Sequence, residues 1–270
     1  MGRIIVTGTV GRTLAILECL ATHPEGMPLF LIADELAMPR SACHRLLTEL
    51  VRTGYVRQQR AQGDYAMTTK LPALGLSYLA SSGIVDIAQP ILDRLADAVG
   101  ELVRLAIVDG DRLTWVAKSQ GARKGLRYDP DMGMDAILSC SATGHAWMLT
   151  MTDERALKLV SSQGFGKPKD YGPNAPTTIK ELLGFIDADR KRGYAIINEV
   201  FAPGMTAMAA PVQRRGQQAI GVISIAGPLV RLDEKRMLEL GPALLAAAAD
   251  LAVASVGSTL FAAPFGGAAA

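Results

Sequence analysis

An α+β fold in two parts is the architecture this sequence predicts, on three observations. Before residue 55, apolar residues recur at helical spacing through three short segments, broken at His23 to Gly26 and again at Ala37 and Met38. Two strand-like runs joined by a turn follow at once. Beyond Glu101 hairpins and helices alternate irregularly, which favours an α+β domain over a doubly wound parallel sheet.

Leu14, Leu17, Leu20 and Ala21 mark the first helix, and Leu29, Ile32, Ala33 and Leu36 a short second one. The third runs from Pro39 to Gly54. Proline suits a first helical turn, where its missing N–H leaves no bond unmade, and glycine suits a left-handed stop. Cys43, Leu46, Leu47 and Leu50 fall on one side of this helix. Ser41, Arg45, Thr48 and Arg52 fall on the other, with Arg40 and His44 at its margin. Tyr55 to Gln59 and Asp64 to Thr68 read as strands turned by Arg60 to Gly63. Three helices and a basic hairpin make a winged helix-turn-helix. Its third helix offers guanidinium forks and short polar groups to a major groove, and Arg57 and Arg60 set charge on the wing for phosphates.

Charge is concentrated in the same place. Between Arg40 and Lys70 six basic residues stand against Glu49 and Asp64, a local balance of +4, whereas the whole chain of 270 residues carries +2. A generic basic protein would not show that asymmetry.

Leu71, Leu74 and Tyr78 line one face of a linker helix that Ser81, Ser82 and Gly83 end. Ile84, Ile87, Ala88, Ile91, Leu95 and Val99 mark the next helix, which Gly100 closes. Leu102 to Val108 and Leu113 to Ala117 flank Asp109, Gly110 and Asp111, a hairpin signal, and Leu126 to Tyr128 are expected as a third strand. Ser139 to Thr150, SCSATGHAWMLT, has small residues leading into an apolar helix. Thr178 and Glu181 have capping-box spacing ahead of a helix ending at Gly193. A second hairpin pairs Ala207 to Gln213 with Ala219 to Ala226. The last helix starts at Asp233 with Met237, Leu240, Leu244, Ala248 and Leu251 on one face. The expected domains are therefore 10–70 for DNA binding, 71–83 for the linker helix, 84–256 for a sensor domain, and 257–270 for a disordered tail rich in alanine and glycine.

Composition excludes several classes. No run of 18 apolar residues and no basic-then-apolar leader is present, so a cytoplasmic protein without a membrane partner is expected. Cys19, Cys43 and Cys140 are odd in number and irregularly spaced, and only three histidines exist, so no disulfide framework, metal site or other cofactor is expected. Cys140 and His145 are the pair a nucleophilic enzyme would need. They straddle a loop-to-helix junction with no acidic residue near in sequence, and packing is the expected role. Gly164 to Lys167 lacks P-loop spacing. The small residues before Gly144 are a better site, for an anion at a helix start, although a plain N-cap by Ser141 or Thr143 would explain them too.

At this point the sequence resembles the IclR family of bacterial transcriptional regulators over nearly all of Val10 to Val253. The match is carried by RTLAILECLATHPEG, PRSACHRLLTELVRTGYVR, the helix end RKRGYA, FAPGMTAMAAPV and AIGVISIAGPLVRL, five segments in the right order. The resemblance implies a winged helix-turn-helix, a linker helix and a GAF-like effector-binding domain. It also implies dimers or tetramers on palindromic operators that respond to small organic metabolites. It points to Thr143, Gly144, Ile197, Ala207, Ser224 and Ala226 as effector contacts, with His145 and Glu199 beside them. His145 stands where relatives usually carry lysine, and Ile197, Ala207 and Ala226 stand where several carry Asp, Cys and Ser, so an organic acid with an aromatic or otherwise apolar body is expected. The reading is a ligand-responsive regulator without enzymatic activity. The alternatives are a GAF-like small-molecule-binding or catalytic protein whose N-terminal domain mediates association only, and a protein-interaction module.

Overall fold

The computed structural model describes residues 8–59, 63–130 and 132–258. The chain divides into two compact units, Met1–Leu79 and Ala80–Ala270.

In the first unit α1 (Thr9–Ala21), α2 (Leu29–Glu35) and α3 (Arg40–Arg52) enclose a small core, and β1 (Val56–Gln58) pairs antiparallel with β2 (Tyr65–Met67). Ile16, Leu17, Cys19 and Leu20 are the buried face of α1. Leu14 and Ala21, expected inward, are exposed, because the inward stripe is set one position round the helix. Ile32, Ala33, Cys43, Leu47 and Leu50 complete the core with Val56 and Tyr65. Ala37 turns α2 into α3 in the left-handed region at φ 49°, a conformation an L residue adopts only when its surroundings impose it. A bridge between Met27 and Tyr65, whose amides and carbonyls exchange bonds of 2.8 and 2.9 Å, ties the α1–α2 loop to the hairpin. The Arg60 end of the wing turn lies outside the described residues. The linker helix α4 (Lys70–Ser81) buries none of its residues, and Leu71, Leu74, Leu76 and Tyr78 are exposed along it.

The second unit is built on a five-stranded antiparallel sheet of β3 (Leu102–Asp109), β4 (Arg112–Gln120), β5 (Ala195–Asn198), β6 (Met205–Val212) and β7 (Gly221–Pro228), in the order β4-β3-β7-β6-β5. On one face α5 (Ile84–Val99) and α9 (Glu234–Ala254) pack together and onto β3, β4, β6 and β7. The expected stripes are buried, with Ala88, Ile91 and Leu95 on α5 and Met237, Leu244 and Leu251 on α9, while Ile87 is only half-buried. By length and composition α9 could cross a membrane, yet that same stripe is packed onto the sheet. On the other face α6 (Ala142–Met148) lies over β5, β6 and β7, backed by α7 (Asp153–Gln163) and α8 (Ile179–Arg192). Thr178 and Glu181 form the capping box at the start of α8.

Three expectations change here. Leu126 to Tyr128 is irregular rather than a strand, because its groups bond sideways: the Tyr128 carbonyl accepts from Gln120 Nε2 at 2.9 Å and the Leu126 carbonyl from Arg231 Nη2 at 2.8 Å. Strand β5 and helix α7 were not expected; β5 is four residues long, too short for its period to register against background. Of the expected tail, Gly257 closes a 3-10 turn and Ser258 is buried, while 259–270 lie outside the described residues.

Register fixes which side chains share a face. Arg104 pairs with Ser224, Leu102 with Ala226, Ala226 with Ala207, and Ala207 with Ile197. A bulge between Leu105 and Ala106 places Ala106 opposite Trp115 and leaves Val116 extra. That one residue reverses the parity of the outer half of β4, so Trp115 and Leu113 turn to the side of Arg104.

Candidate nucleic-acid interface and effector pocket

On α3, Arg40, Ser41, His44, Arg45, Thr48 and Arg52 are all exposed, as is Arg57 on β1. The helix presents them together because the opposite stripe of Cys43, Leu47 and Leu50 is sealed in the core. They are not equally available. Thr48 Oγ donates to the His44 carbonyl at 2.9 Å within its own helix, and Arg52 gives Nε and Nη2 to Glu49 at 3.0 and 2.7 Å. Arg40 leans toward Asp34 at 3.8 Å and over the Phe30 ring. Ser41, His44 and Arg45 therefore lie on the stretch of the helix whose groups are best placed to meet base edges, while Arg57 stands on the wing.

In the second unit a cavity of about 420 Å³, counted to its open mouth, lies between the sheet and α6. Ile197, Ala207, Ser224 and Ala226 form its floor, Ser141, Ala142 and Thr143 its roof, and Arg104, Trp115 and Tyr128 one end, with Phe201, Met205 and Thr206 completing the wall. Of the residues that the resemblance pointed to, Thr143, Ile197, Ala207, Ser224 and Ala226 line it. Gly144 does not. Its N–H is taken by Ser141 Oγ at 3.0 Å, the plain N-cap, and its α-carbon is pressed on the Leu138 backbone, where a Cβ would sit 2.5 Å from the carbonyl oxygen. Glu199 also stands outside, with φ 51° and its carboxylate accepting from the Gly204 amide at 2.8 Å.

The cavity's electrostatic centre is a residue that sequence reasoning missed. Arg104 is 6% exposed, in the middle of a strand, with its guanidinium 3.9 Å above the Trp115 ring and 5.9 Å from the Tyr128 ring. Among the described residues its Nε has no hydrogen-bond partner and no carboxylate forms an ion pair with it. Burial lowers its pKa, with the Tyr128 phenol opposing. A stacked, desolvated cation facing a cavity has the chemistry to attract an anion. One signal was in the sequence: LVRLAIV sets a charge inside a run that is apolar on both faces.

His145, on α6 itself, is fully buried. Its Nε2 donates to the Ser139 carbonyl at 2.9 Å, which makes Nδ1 the lone-pair nitrogen, 3.9 Å from Asp189 Oδ2. Burial pushes the imidazole down to about 4 and the Asp189 carboxyl up to about 6, so this is no ion pair at neutral pH. Asp189 is held through its other oxygen by Arg192 at 2.7 Å and the Ile196 amide at 3.3 Å. Cys140, whose thiol burial pushes up, contacts Ser139 Oγ at 3.4 Å. Thiol and imidazole thus each engage Ser139, and no bond between them assembles a nucleophile with a base among the described residues.

A winged helix-turn-helix joined to an α+β unit with a cation-bearing cavity defines a single-chain regulator that carries a DNA reader and a sensor together. Residues 9–60 match the IclR helix-turn-helix domain, and residues 76–253 match the bacterial transcriptional regulator IclR C-terminal domain. The chain belongs to the IclR family of DNA-binding transcriptional regulators. It is 29% identical to the transcriptional repressor IclR of Escherichia coli strain K12, over 90% of this chain and 88% of that one. An IclR transcriptional regulator from Alicyclobacillus acidocaldarius superposes with a TM-score of 0.78 at 20% identity, over 92% of this chain and 99% of that one. An IclR homolog from Microbacterium hydrocarbonoxydans, solved in complex with 4-hydroxybenzoate, superposes with a TM-score of 0.74 at 19% identity, over 92% and 98%.

Proposed function

We propose that this regulator is cytoplasmic and binds palindromic operator DNA as a dimer or tetramer. Its grip on DNA changes when a small organic acid with an aromatic or otherwise apolar body fills the cavity. The observation that carries the ligand class is Arg104: a buried guanidinium facing a cavity gains a partner when a carboxylate enters. Ile197, Ala207 and Ala226 give the rest of such a molecule apolar contact, and Thr143 and Ser224 offer hydroxyls. The aromatic acid bound by the Microbacterium homolog is of the same chemical class. Self-association is supported by the apolar residues exposed along α4, an unusual surface for a narrow helix in water, and by the need of a palindrome for two readers.

Thermal-shift and calorimetric panels test the ligand class. Aromatic and aliphatic monocarboxylates should stabilise the protein, and their neutral amides should not. Stabilisation by short polar acids alone, or equally by acids and amides, would overturn the reading. Sedimentation should find no monomer at micromolar concentration.

A further inference from the structure

Three side chains with metal-binding donors meet in the DNA-reading unit, away from both sites described above. Cys19 lies in the last turn of α1, His23 just past its end, and Glu35 is the last residue of α2. Their ligand atoms all lie within 4.8 Å of one another. Cys19, His23 and Met27 recur every four residues, and the Cys19 Sγ touches Met27 Sδ at 3.6 Å. We infer that Cys19, His23 and Glu35 form a zinc site that clips the end of α1 to the end of α2.

The donor set suits the ion. Thiolate, imidazole and carboxylate are the three ligand types zinc takes, and three protein ligands leave a fourth position for water. One thiolate and one carboxylate cancel the 2+ charge, so the site is neutral where it borders the core. His23 already has the geometry that orients ligating imidazoles: its Nδ1 sits 3.0 Å from the Cys19 carbonyl, which leaves Nε2 as the donor. Burial is graded from the thiol at the core edge through the partly buried imidazole to the exposed carboxylate, giving the ion a way in. Zinc–ligand bonds of ~2.0–2.3 Å place tetrahedral ligand atoms ~3.3–3.6 Å apart, so the three must close by roughly an ångström, which the exposed Glu35 side chain can do. On binding, the thiol proton leaves to solvent and a zinc–sulfur bond replaces it. Because α2 leads through Ala37 directly into α3, the clip holds the frame from which the recognition helix projects.

Cobalt(II), which takes the same ligands and is coloured, provides the test. Full-length protein stripped with chelator and kept reduced should bind Co²⁺ at one ion per chain, with a thiolate-to-cobalt charge-transfer absorption that Zn²⁺ then abolishes. Cys19→Ser should remove the absorption. Since that position is in the core, Glu35→Gln on the exposed carboxylate supplies an independent arm: it should weaken Co²⁺ binding about tenfold or more while the metal-free protein still unfolds cooperatively. Cys43→Ser and Cys140→Ser should retain the absorption. Absence of the band at saturating Co²⁺, its survival in Cys19→Ser, its loss in Cys43→Ser, or wild-type affinity in Glu35→Gln would each overturn the site.

Discussion

The two surfaces proposed to do this regulator's work hold arginine in opposite environments. Arg45 stands in water on α3, and its charge is already solvated, so what it gains on DNA is the difference between two good partners. Arg104 has given up water for the face of Trp115, with its Nε unpaired among the described residues, so the proposed carboxylate would restore what burial removed. Under the proposed function the same side chain therefore carries a small, salt-sensitive interaction in one unit and a large, screened-from-salt one in the other.

The largest expected effect follows from that difference. Arg104→Met keeps an unbranched stem against Trp115 and removes the charge. Acid binding should fall by about 2–5 kcal/mol, which is roughly 30-fold or more, because the carboxylate would enter the cavity without a counter-ion. The free protein should melt at the same temperature or higher, since an uncompensated buried cation is gone. Calorimetry and thermal unfolding on the same preparation check both halves. Wild-type affinity for the acid in Arg104→Met would erase the contrast between the units.

On the DNA side Arg45→Ala should cost about 1–3 kcal/mol of specific operator binding at each half-site, with folding and acid binding unchanged. Arg57→Ala should weaken all duplexes alike and reduce the salt slope by about one. Binding titrations at several salt concentrations separate the two. If Arg45→Ala also weakened all sequences equally, α3 would be holding phosphates rather than reading bases.

These surfaces also differ in how far the sequence disclosed them. The exposed polar face of α3 was legible because one helix carries all of it, and a 3.6-residue period separates Cys43, Leu47 and Leu50 from Ser41, Arg45 and Thr48 without any tertiary knowledge. The winged arrangement and both long helices of the second unit were legible for the same reason. The cavity was not. It is assembled from five strands, two loops and a helix start, and its decisive feature depends on a bulge that turns Trp115 under Arg104, which no local pattern announces. The family resemblance named Thr143, Ile197, Ala207, Ser224 and Ala226, which line the cavity, but said nothing of Arg104, Trp115 or Tyr128. It also placed Gly144 in the site, whereas capping and close packing against Leu138 account for that residue.

Behind the cavity, His145 and Asp189 make the sensor unit's stability depend on pH through two opposed contributions. For His145, held at about 4 against an ordinary 6.5, the folded state binds fewer protons than the unfolded one, so its contribution is present above pH 6.5 and lost as pH falls toward 4. For Asp189, held at about 6 against an ordinary 3.8, the folded state binds more protons, so its contribution is present at low pH and lost as pH rises through 6. Between pH 4 and 6 the two offset one another. Asp189→Asn keeps an acceptor for the Ile196 amide and removes the second contribution. The variant should therefore lose stability more steeply than wild type on acidification from pH 6.5 to 4. Urea unfolding at closely spaced pH values measures the slopes, and parallel profiles would show that the pair does not titrate as described.

The smallest expected effect belongs to Ser224, and it tests whether the cavity is dominated by charge. Its hydroxyl lies on the floor with a long 3.5 Å contact to the Arg104 carbonyl, so a ligand can take that hydrogen bond without breaking a strong one. Ser224→Ala should lower acid affinity by about 0.5–1.5 kcal/mol, the net worth of one neutral hydrogen bond, and should do so equally for an aromatic acid and an aliphatic one. Because Ser224 pairs with Arg104 across β3 and β7, the two substitutions share one face, and a double-mutant cycle reports their coupling. If the hydroxyl helps only to position a carboxylate already held by the guanidinium, its effect should vanish in the Arg104→Met background. A Ser224→Ala loss as large as that of Arg104→Met in the wild-type background would instead mean that hydroxyl contacts, and not the buried cation, select the effector.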